Sequence, residues 1–202
     1  MNISYPVLVL LSGPAGSGKS TLCDRYVTDH PDYSRVVTST TRSPRAGEVN
    51  GVHYHFFSPE EFRARINRGD FLEWALVHGE YHDRLYGTLR SSIVEPLNQG
   101  RKLIMNLDVQ GAESLRTLAR VEPLLRRAMT TIFIQADIEI LMRRMGVRGT
   151  DTADEIQRRM TTAAQELLQA SKFDHIIDSK TRDEDYEELC RFVTAAELRA
   201  AA

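Results

Sequence analysis

The stretch Gly13-Pro14-Ala15-Gly16-Ser17-Gly18-Lys19-Ser20 decides the fold of this chain. It fits the pattern G-x-x-x-x-G-K-[ST], which is typical of a phosphate-binding loop. The apolar run Val7–Leu11 precedes it, and Thr21–Val27, which has helical character, follows it. In that order of strand, loop and helix, backbone N–H groups and the positive end of the helix surround an anion. The flanking segments therefore favour a phosphate site over a chance glycine-rich turn. Lys19 is expected to reach the outer phosphates and Ser20 to hold a magnesium ion.

Composition narrows the class of protein. The 202 residues fit one domain, and a hydrophobic content of 42% supplies a core. The formal net charge of −2 argues against a nucleic-acid or membrane-surface binder, and Val7–Leu11 is too short to span a bilayer. Cys23 and Cys190 form no disulfide framework and no metal-ligand cluster, so we expect reduced thiols and a cytoplasmic location. Oligomeric state stays open.

Strand-like and helix-like segments alternate after the loop, which predicts an α/β fold with a central parallel sheet covered on both faces. The predicted strands are Val7–Leu11, Ser34–Ser39, Tyr54–Phe57, Phe71–Val77, Lys102–Asp108, Thr130–Ile134 and Asp174–Asp178. The predicted helices, besides the one after the loop, are 58–68, 89–97, 112–120, 138–145, 153–171 and 181–198, and Pro123 is expected to interrupt the chain between two of these elements.

Several polar residues are candidates for function. Arg42 and Arg45 lie on a loop and suit an anion, because arginine presents a planar fork of donors, although a solvated basic loop would have the same composition. Glu73 interrupts an apolar strand, so it lies on a solvated edge or faces inward. The polar segment His78–Thr88, expected to be a loop, holds two histidines, but their spacing fits no standard zinc pattern. Asp108 ends a predicted strand, where open α/β sheets bind ligands.

A group of arginines surrounds the break between two predicted helices at Gly146–Thr152. A hinged lid that carries arginines to phosphates would explain the group, and so would two solvated helix faces. The group consists of Arg143, Arg144, Arg148, Arg158 and Arg159.

The stretch Val37–Gly51, with Thr40-Thr41-Arg42-Ser43-Pro44-Arg45 at its centre, resembles the signature of the guanylate kinase family. Segments similar to further motifs of that family follow in the same order, and the resemblance runs from about residue 7 to residue 195. These segments are Tyr54, Phe71–Ala75, Tyr86–Thr88, Asp108–Gly111 and Arg148–Thr150.

The resemblance implies a single P-loop three-layer domain over residues 1–202, with a small GMP-binding insert and a helical lid. The core would comprise about 1–37, 89–137 and 172–202, the insert about 38–88 and the lid about 138–171. The implied reaction is transfer of the γ-phosphoryl group of ATP to GMP with Mg²⁺, which gives ADP and GDP. ATP and GMP would be the partners, with no nucleic acid and no membrane.

The resemblance also implies roles for individual residues. Gly13, Pro14, Ala15, Gly16, Ser17, Gly18, Lys19, Ser20 and Thr21 would bind ATP, with Ser20 as the metal ligand. Arg42, Arg45, Tyr54 and Tyr86 would hold the GMP phosphate, and Thr38, Glu73, Thr88 and Asp108 would read guanine. Lys19, Arg144, Arg148 and Arg159 would act on the transferring phosphoryl group. The chemistry of Glu73 agrees, because one carboxylate accepts both adjacent guanine donors, N1–H and the exocyclic amine.

The chain departs from the family pattern at several positions. Thr38 stands where the family usually has Ser, Asn106 where it usually has an acid, and Ser179 in place of an Asn near the adenine pocket. The segments Gly79–Tyr86 and Leu118–Met129 are longer than usual. These departures leave room for an altered magnesium shell, altered kinetics or a shifted substrate.

Two alternative functions follow from related groups of proteins. One is a kinase for a ribose bisphosphate, and the other is a guanylate-kinase-like binding module without catalysis. Glu73 and the intact stretch Thr40–Arg45 favour GMP over a ribose bisphosphate. The intact Gly18, Lys19 and Ser20 favour an enzyme over a binding module.

Overall fold

The computed structural model describes residues 5–77, 84–146 and 152–201. Short 3₁₀ turns lie at Arg90–Ser92 and Ala170–Lys172. The other elements are, in chain order, β1 (Val7–Ser12), α1 (Lys19–Asp29), β2 (Tyr33–Arg35), β3 (Ser39–Thr40), β4 (His55–Phe56), α2 (Pro59–Asn67), β5 (Phe71–Val77), β6 (Arg84–Leu89), α3 (Val94–Asn98), β7 (Lys102–Asn106), α4 (Val109–Ala119), α5 (Pro123–Ala128), β8 (Met129–Gln135), α6 (Ile138–Gly146), α7 (Ala153–Leu167), β9 (His175–Asp178) and α8 (Arg182–Ala201).

The core is a five-stranded parallel sheet in the order β2-β7-β1-β8-β9. β1 lies in the middle of this sheet and is buried along its whole length. Because side chains alternate along a strand, Leu8 and Leu10 pack toward α3, α4 and α5 on one face. Val7, Val9 and Leu11 pack toward α1 and α8 on the other face. The prediction of a three-layer α/β fold is therefore confirmed, and the glycine-rich loop leaves the carboxyl end of the central strand.

A second, four-stranded sheet has the order β4-β3-β6-β5. Here β3 pairs with β4 in parallel, while β6 pairs with β3 and β5 in antiparallel fashion. Phe62 of α2 packs against Phe71, Leu85 and Leu89 to give this sheet its own apolar cluster. α2 begins as predicted, because the Ser58 side chain accepts a hydrogen bond from Glu61 N at 3.1 Å.

The second sheet also corrects two predictions. The strand expected over Ser34–Ser39 is divided, because β2 ends at Arg35 in the core sheet and β3 begins at Ser39 in the other sheet. The segment expected to be a loop through Thr88 instead forms β6 from Arg84 onward. Gly87 is required in β6, since an added Cβ would lie 2.9 Å from the carbonyl oxygen of Glu73 in the neighbouring strand. Pairing between distant segments, which local pattern does not report, decides both differences.

Smaller corrections concern element ends. Leu89 ends β6, and α3 begins only at Val94, so the helix expected over 89–97 is shorter. Pro123, expected as an interruption, is the first residue of α5, where a missing backbone N–H costs no hydrogen bond. α6 and α7 pack together around Leu141, Met160 and Ala163. Within the described ranges, every helix is too short or too polar to cross a membrane.

Candidate functional site

Glycines shape the loop that joins β1 to α1. At Gly13 an added Cβ would lie 2.4 Å from the carbonyl oxygen of Ile134, so any side chain would collide with β8. Gly16 and Gly18 have φ angles of 83° and 101°, in the left-handed region that favours glycine. The hydroxyl of Ser17 is buried and has no hydrogen-bond partner among the described residues. The loop is therefore closely packed, and among the described residues the Ser17 hydroxyl inside it has no hydrogen-bond partner.

Lys19 reaches back over this loop. Its Nζ donates hydrogen bonds to the carbonyl oxygens of Gly13 at 2.6 Å and Pro14 at 2.8 Å. Burial lowers the pKa of Lys19 to about 8, although the carboxylates of Glu166 and Asp108 act in the opposite direction. A phosphate in the loop would add negative charge beside the ammonium and keep it protonated. The structure thus places the Lys19 ammonium against the first residues of the loop, and its action on the outer phosphates stays a prediction.

Ser20, the predicted metal ligand, is exposed at the first turn of α1. Its Oγ accepts a hydrogen bond from Asn106 Nδ2 at 3.4 Å, and Asn106 Oδ1 accepts one from Arg35 at 3.1 Å. The described residues hold no cluster of three or more His, Cys, Asp or Glu side chains that could bind a metal alone. This donor set fits magnesium held mainly by nucleotide phosphates, because the Ser20 oxygen keeps a lone pair for one coordinate bond.

A pair of carboxylates lies beside the loop. Glu73 is buried in β5, and its Oε1 accepts a hydrogen bond of 2.6 Å from the hydroxyl of Thr88, its cross-strand partner. Asp108 caps α4 through a hydrogen bond of 2.8 Å from Gly111 N. An added Cβ at Gly111 would lie 3.4 Å from both Glu73 Oε2 and Asp108 Oδ1, so the two carboxylates meet at this glycine. Glu73 therefore faces inward, which decides the alternative that the sequence left open.

The surroundings of Glu73 shift the pKa of its carboxyl group. Burial raises its pKa to about 7, and the charge of Asp108 adds to the rise, while the hydrogen bond from Thr88 opposes it. Both oxygens of such a carboxyl group can accept hydrogen bonds from a ligand only after the group loses its proton. Asp108 in turn lies beside the phosphate loop, because Leu107 N donates to Leu11 O at 3.0 Å.

Arg42 and two tyrosines form the next part of the site. Arg42 is buried, and its guanidinium lies 5.4 Å from the ring of Tyr54, which is 6.3 Å from the ring of Tyr86. Glu48 receives hydrogen bonds from Arg42 Nη1 at 2.8 Å and Nη2 at 2.9 Å. This contact lowers the pKa of Glu48 to about 2, helped by the backbone N–H of Arg45. The structure thus brings Arg42, Tyr54 and Tyr86 together, and their binding of the GMP phosphate stays a prediction.

Arg45 and Thr38 are placed less closely. Arg45 is exposed; its backbone N–H donates to Glu48 Oε2 at 2.6 Å, and its carbonyl oxygen accepts a hydrogen bond from Glu48 N at 3.0 Å. Thr38 lies between β2 and β3, half-buried, and its carbonyl oxygen accepts a hydrogen bond from His55 N at 2.8 Å. The structure therefore puts both residues on the same segment as Arg42 without a described side-chain contact to it.

The other side of the loop opens into a cavity of about 720 Å³. Arg144 of α6 lines it and donates to Ser17 O at 3.3 Å, with Ser179 Oγ at 3.4 Å from the same nitrogen. Ser179 in turn donates to Asp185 Oδ2 at 2.7 Å. Arg148 and the loop histidines His78 and His82 lie outside the described residues, as does the side chain of Arg159 in α7. The cavity is lined by Gly16–Thr21, Arg143, Arg144, Arg182 and Asp183, among others.

Sequence reasoning missed three side chains that the fold brings to this region. Glu48 holds Arg42, and Arg35 reaches Asn106 across two neighbouring strands. Glu166 of α7 lies near Lys19, and burial raises the pKa of Glu166 to about 6 against the effect of the Lys19 charge. Only Glu48 had a signal in the sequence, since it lies within the stretch that carried the family resemblance.

Comparison with known proteins gives consistent matches. The family model described as guanylate kinase matches residues 5–196. The chain is 40% identical to the guanylate kinase of Idiomarina loihiensis over 172 residues, which cover 84% of this chain and 77% of that protein. It is 39% identical to the guanylate kinase of Synechococcus elongatus over 170 residues, with 84% and 87% covered. The crystal structure of guanylate kinase from Anaplasma phagocytophilum superposes with a TM-score of 0.74 at 24% identity and covers 98% of this chain and 88% of that chain.

Proposed function

The chain belongs to the guanylate kinase family of ATP:GMP phosphotransferases, and we propose that the site described above transfers the γ-phosphoryl group of ATP to GMP. The observation that carries the assignment is the buried Glu73 carboxylate, bonded to Thr88 and set beside Asp108 next to the phosphate loop. In this arrangement a carboxylate that can bind the guanine base lies in the same site as the loop that can bind phosphates.

Glu73 is proposed to select guanine. Its carboxylate can accept hydrogen bonds from N1–H and from the exocyclic amine, which are adjacent donors on guanine. Adenine has an acceptor at the equivalent ring position, so a buried Glu73 would stay unsatisfied. Sites that pair buried polar groups in this way reject the wrong ligand by roughly 10⁴-fold. Thr88, Asp108 and Thr38 are proposed to complete this base pocket.

Arg42, Tyr54, Tyr86 and Arg45 are proposed to bind the GMP phosphate. The bidentate contact of Arg42 with Glu48 fixes the guanidinium plane before GMP arrives. Preorganised donors avoid the entropy cost of ordering a long side chain during binding. The exposed Arg45 would turn onto the phosphate as the ligand binds.

The phosphate loop is proposed to hold the donor, with the ATP phosphates in the backbone cradle of residues 13–21. The acceptor is already an anionic phosphate oxygen, so no general base is assigned. Catalysis then rests on alignment and charge compensation by Lys19 and by the lid arginines Arg144, Arg148 and Arg159. Bound magnesium would supply charge neutralisation at the β- and γ-phosphates, with Ser20 as its protein ligand.

Different parts of the fold are proposed to bind GMP and to close over the phosphates. The second sheet, from β3 to β6 with α2, is the GMP-binding insert, and α6 and α7 form the lid. Since α6 carries Arg144 to the loop carbonyls, a small rotation of this pair of helices would bring the guanidinium onto a phosphate. We place the protein in the cytoplasm, where ATP and GMP are available and where free thiols such as Cys23 and Cys190 stay reduced.

A coupled assay of ADP release tests the proposed function. The purified protein with ATP and Mg²⁺ is offered GMP, dGMP, AMP and ribose 1,5-bisphosphate in parallel. Rapid ADP release with GMP and little with AMP is expected. Preference for ribose 1,5-bisphosphate would identify the related sugar kinase. ATP binding without turnover of any acceptor would identify a binding module.

Replacing Glu73 with glutamine is expected to weaken GMP binding about 10- to 100-fold, while ATP binding stays within about twofold. The amide turns one acceptor into a donor that faces a guanine donor, and each such buried mismatch costs about 1–3 kcal/mol. Calorimetric titration of each nucleotide measures the effect. Glu113→Gln, in a half-buried pair with Arg116, is the matched control. An equal loss for both nucleotides would contradict the base-reading role.

GMP affinity is also expected to depend on pH through Glu73. The pKa of Glu73 is raised to about 7 without ligand, and the two adjacent guanine donors need both oxygens of the ionised carboxylate as acceptors. Affinity should therefore be constant above this pH and fall about tenfold per pH unit below it, as GMP binding must first release a proton. Titrations from about pH 5.5 to pH 8.5 check this. The phosphate of GMP titrates near pH 6 itself, at about the second pKa of phosphate esters, so Glu73→Gln is the reference. If wild type and variant lose affinity in parallel, Glu73 is not the titrating group.

A further inference from the structure

Ser20, the proposed magnesium ligand, belongs to a ring of side chains beside the phosphate loop whose other members have not been assigned a role. Ser20 and Asp24 lie on one face of α1, four residues apart. Arg35 ends β2 and Asn106 ends β7, and these parallel strands are neighbours in the core sheet. Their carboxyl ends therefore meet next to the loop that follows β1. The ring closes through the contacts of Arg35 with Asp24 and Asn106, and of Asn106 with Ser20.

The orientation of the Asn106 amide follows from chemistry. An arginine side chain has only donors, so the atom of Asn106 that lies 3.1 Å from Arg35 Nη2 must be its oxygen. The amide nitrogen then points the other way, to Ser20 Oγ at 3.4 Å. The other terminal nitrogen of the guanidinium contacts Asp24. Both terminal nitrogens of Arg35 therefore have a partner.

This orientation matters for a cation at Ser20. Magnesium takes oxygen ligands and keeps several waters, which donate hydrogen bonds outward to acceptors. An N–H group facing the site offers no acceptor, and the nearby guanidinium adds like-charge repulsion. Asp24, which pairs with Arg35, offsets part of that charge.

We propose that Arg35 is a positioning residue that holds the Asn106 amide with its nitrogen toward Ser20, and that this weakens the coupling between magnesium and nucleotide binding. The inference rests on the proposed function, since it concerns the metal that accompanies ATP. In this chain the metal site then depends on Ser20 and the nucleotide phosphates, with little support from the end of β7.

ADP affinity, measured by calorimetry with excess Mg²⁺ and again with EDTA, tests the proposal. The ratio of the two affinities is the metal–nucleotide coupling and needs no turnover. Arg35→Met is expected to raise the ratio about threefold, and Arg35→Met with Asn106→Asp about tenfold, the low end for changes around metal ligands. Asn106→Asp alone should fall between wild type and the double variant, because Arg35 still pairs with the new carboxylate.

Controls separate positioning from general effects. Arg35→Lys keeps a donor for the Asn106 oxygen and should stay near wild type. Arg191→Met removes an exposed, paired arginine of α8 and should leave the ratio unchanged. A ratio in Arg35→Met equal to that of wild type, or a ratio in the double variant equal to that of Asn106→Asp alone, overturns the proposal. So does a tenfold loss of ADP affinity in EDTA for Arg35→Met, which would make Arg35 a phosphate ligand. Failure of wild type to bind ADP at all would instead overturn the proposed function.

Discussion

Lys19→Ala is expected to lower the turnover number about 10³-fold or more while the protein stays folded. The ammonium lies over the loop carbonyls of Gly13 and Pro14, so it would meet the charge that develops on the transferred phosphoryl group. Its contacts are polar and lie at the surface of the site, so little core packing is lost. The loss should appear in the turnover number, because the interaction is stronger in the transition state than in the ground state.

Steady-state kinetics with GMP and ATP measures this effect, and thermal unfolding checks the fold. Lys172→Ala, on an exposed 3₁₀ turn, is the control for removal of a lysine. A variant that keeps more than about a tenth of wild-type turnover has lost less than 1.4 kcal/mol of barrier lowering. That result would show that Lys19 is not the catalytic lysine.

Arg144→Ala is expected to lower the turnover number about 10³-fold, with little change in GMP affinity. Of the three proposed lid arginines, Arg144 is the one whose side-chain contacts the structure describes, and it lies against the carbonyls of Gly16 and Ser17 at the loop. When both nucleotides bind and the lid closes, its guanidinium should move from these carbonyls to the phosphates and help expel water. Arg148 and Arg159 are predicted to act with it, and Arg148→Ala should have an effect of the same kind.

The measurement is again steady-state kinetics, with GMP affinity from calorimetry on the same preparation. Arg127→Ala removes a like charge from α5, which does not line the cavity at the loop. A turnover number within about threefold of wild type, equal to less than 1 kcal/mol, would leave Arg144 without a catalytic role. A loss confined to GMP affinity would place it in ground-state binding instead.

The core of the fold and the phosphate loop were predictable because their signals are local. β1, the loop and α1 are consecutive, and about twenty residues contain the apolar strand, the glycines and the start of the helix in that order. The restriction at Gly13 has a tertiary cause, contact with Ile134, but the glycine itself marks the position in the sequence. Arg42, Tyr54, Glu73, Tyr86 and Asp108 were assigned only through resemblance to family motifs.

The second sheet was harder to predict, because its strands are defined by partners far along the chain. β3 is two residues long and pairs with β6, whose own sequence Arg84–Leu89 contains a glycine and follows a polar stretch. A glycine in a strand normally argues against the strand. At Gly87 it is required by the close approach of the Glu73 backbone, and this reason exists only after the strands have paired.

By itself the sequence determined the α/β core and the phosphate loop, since these depend on local pattern, while the candidate residues for GMP came from resemblance to family motifs. The tertiary structure decided which way Glu73 faces, because β6 places Thr88 opposite it and α4 brings Asp108 beside it. It likewise decided that Glu48 holds Arg42 and that Arg35 orients Asn106, a residue 71 positions away. Hydrogen bonds of this kind depend on distance and direction in space, which sequence separation does not record.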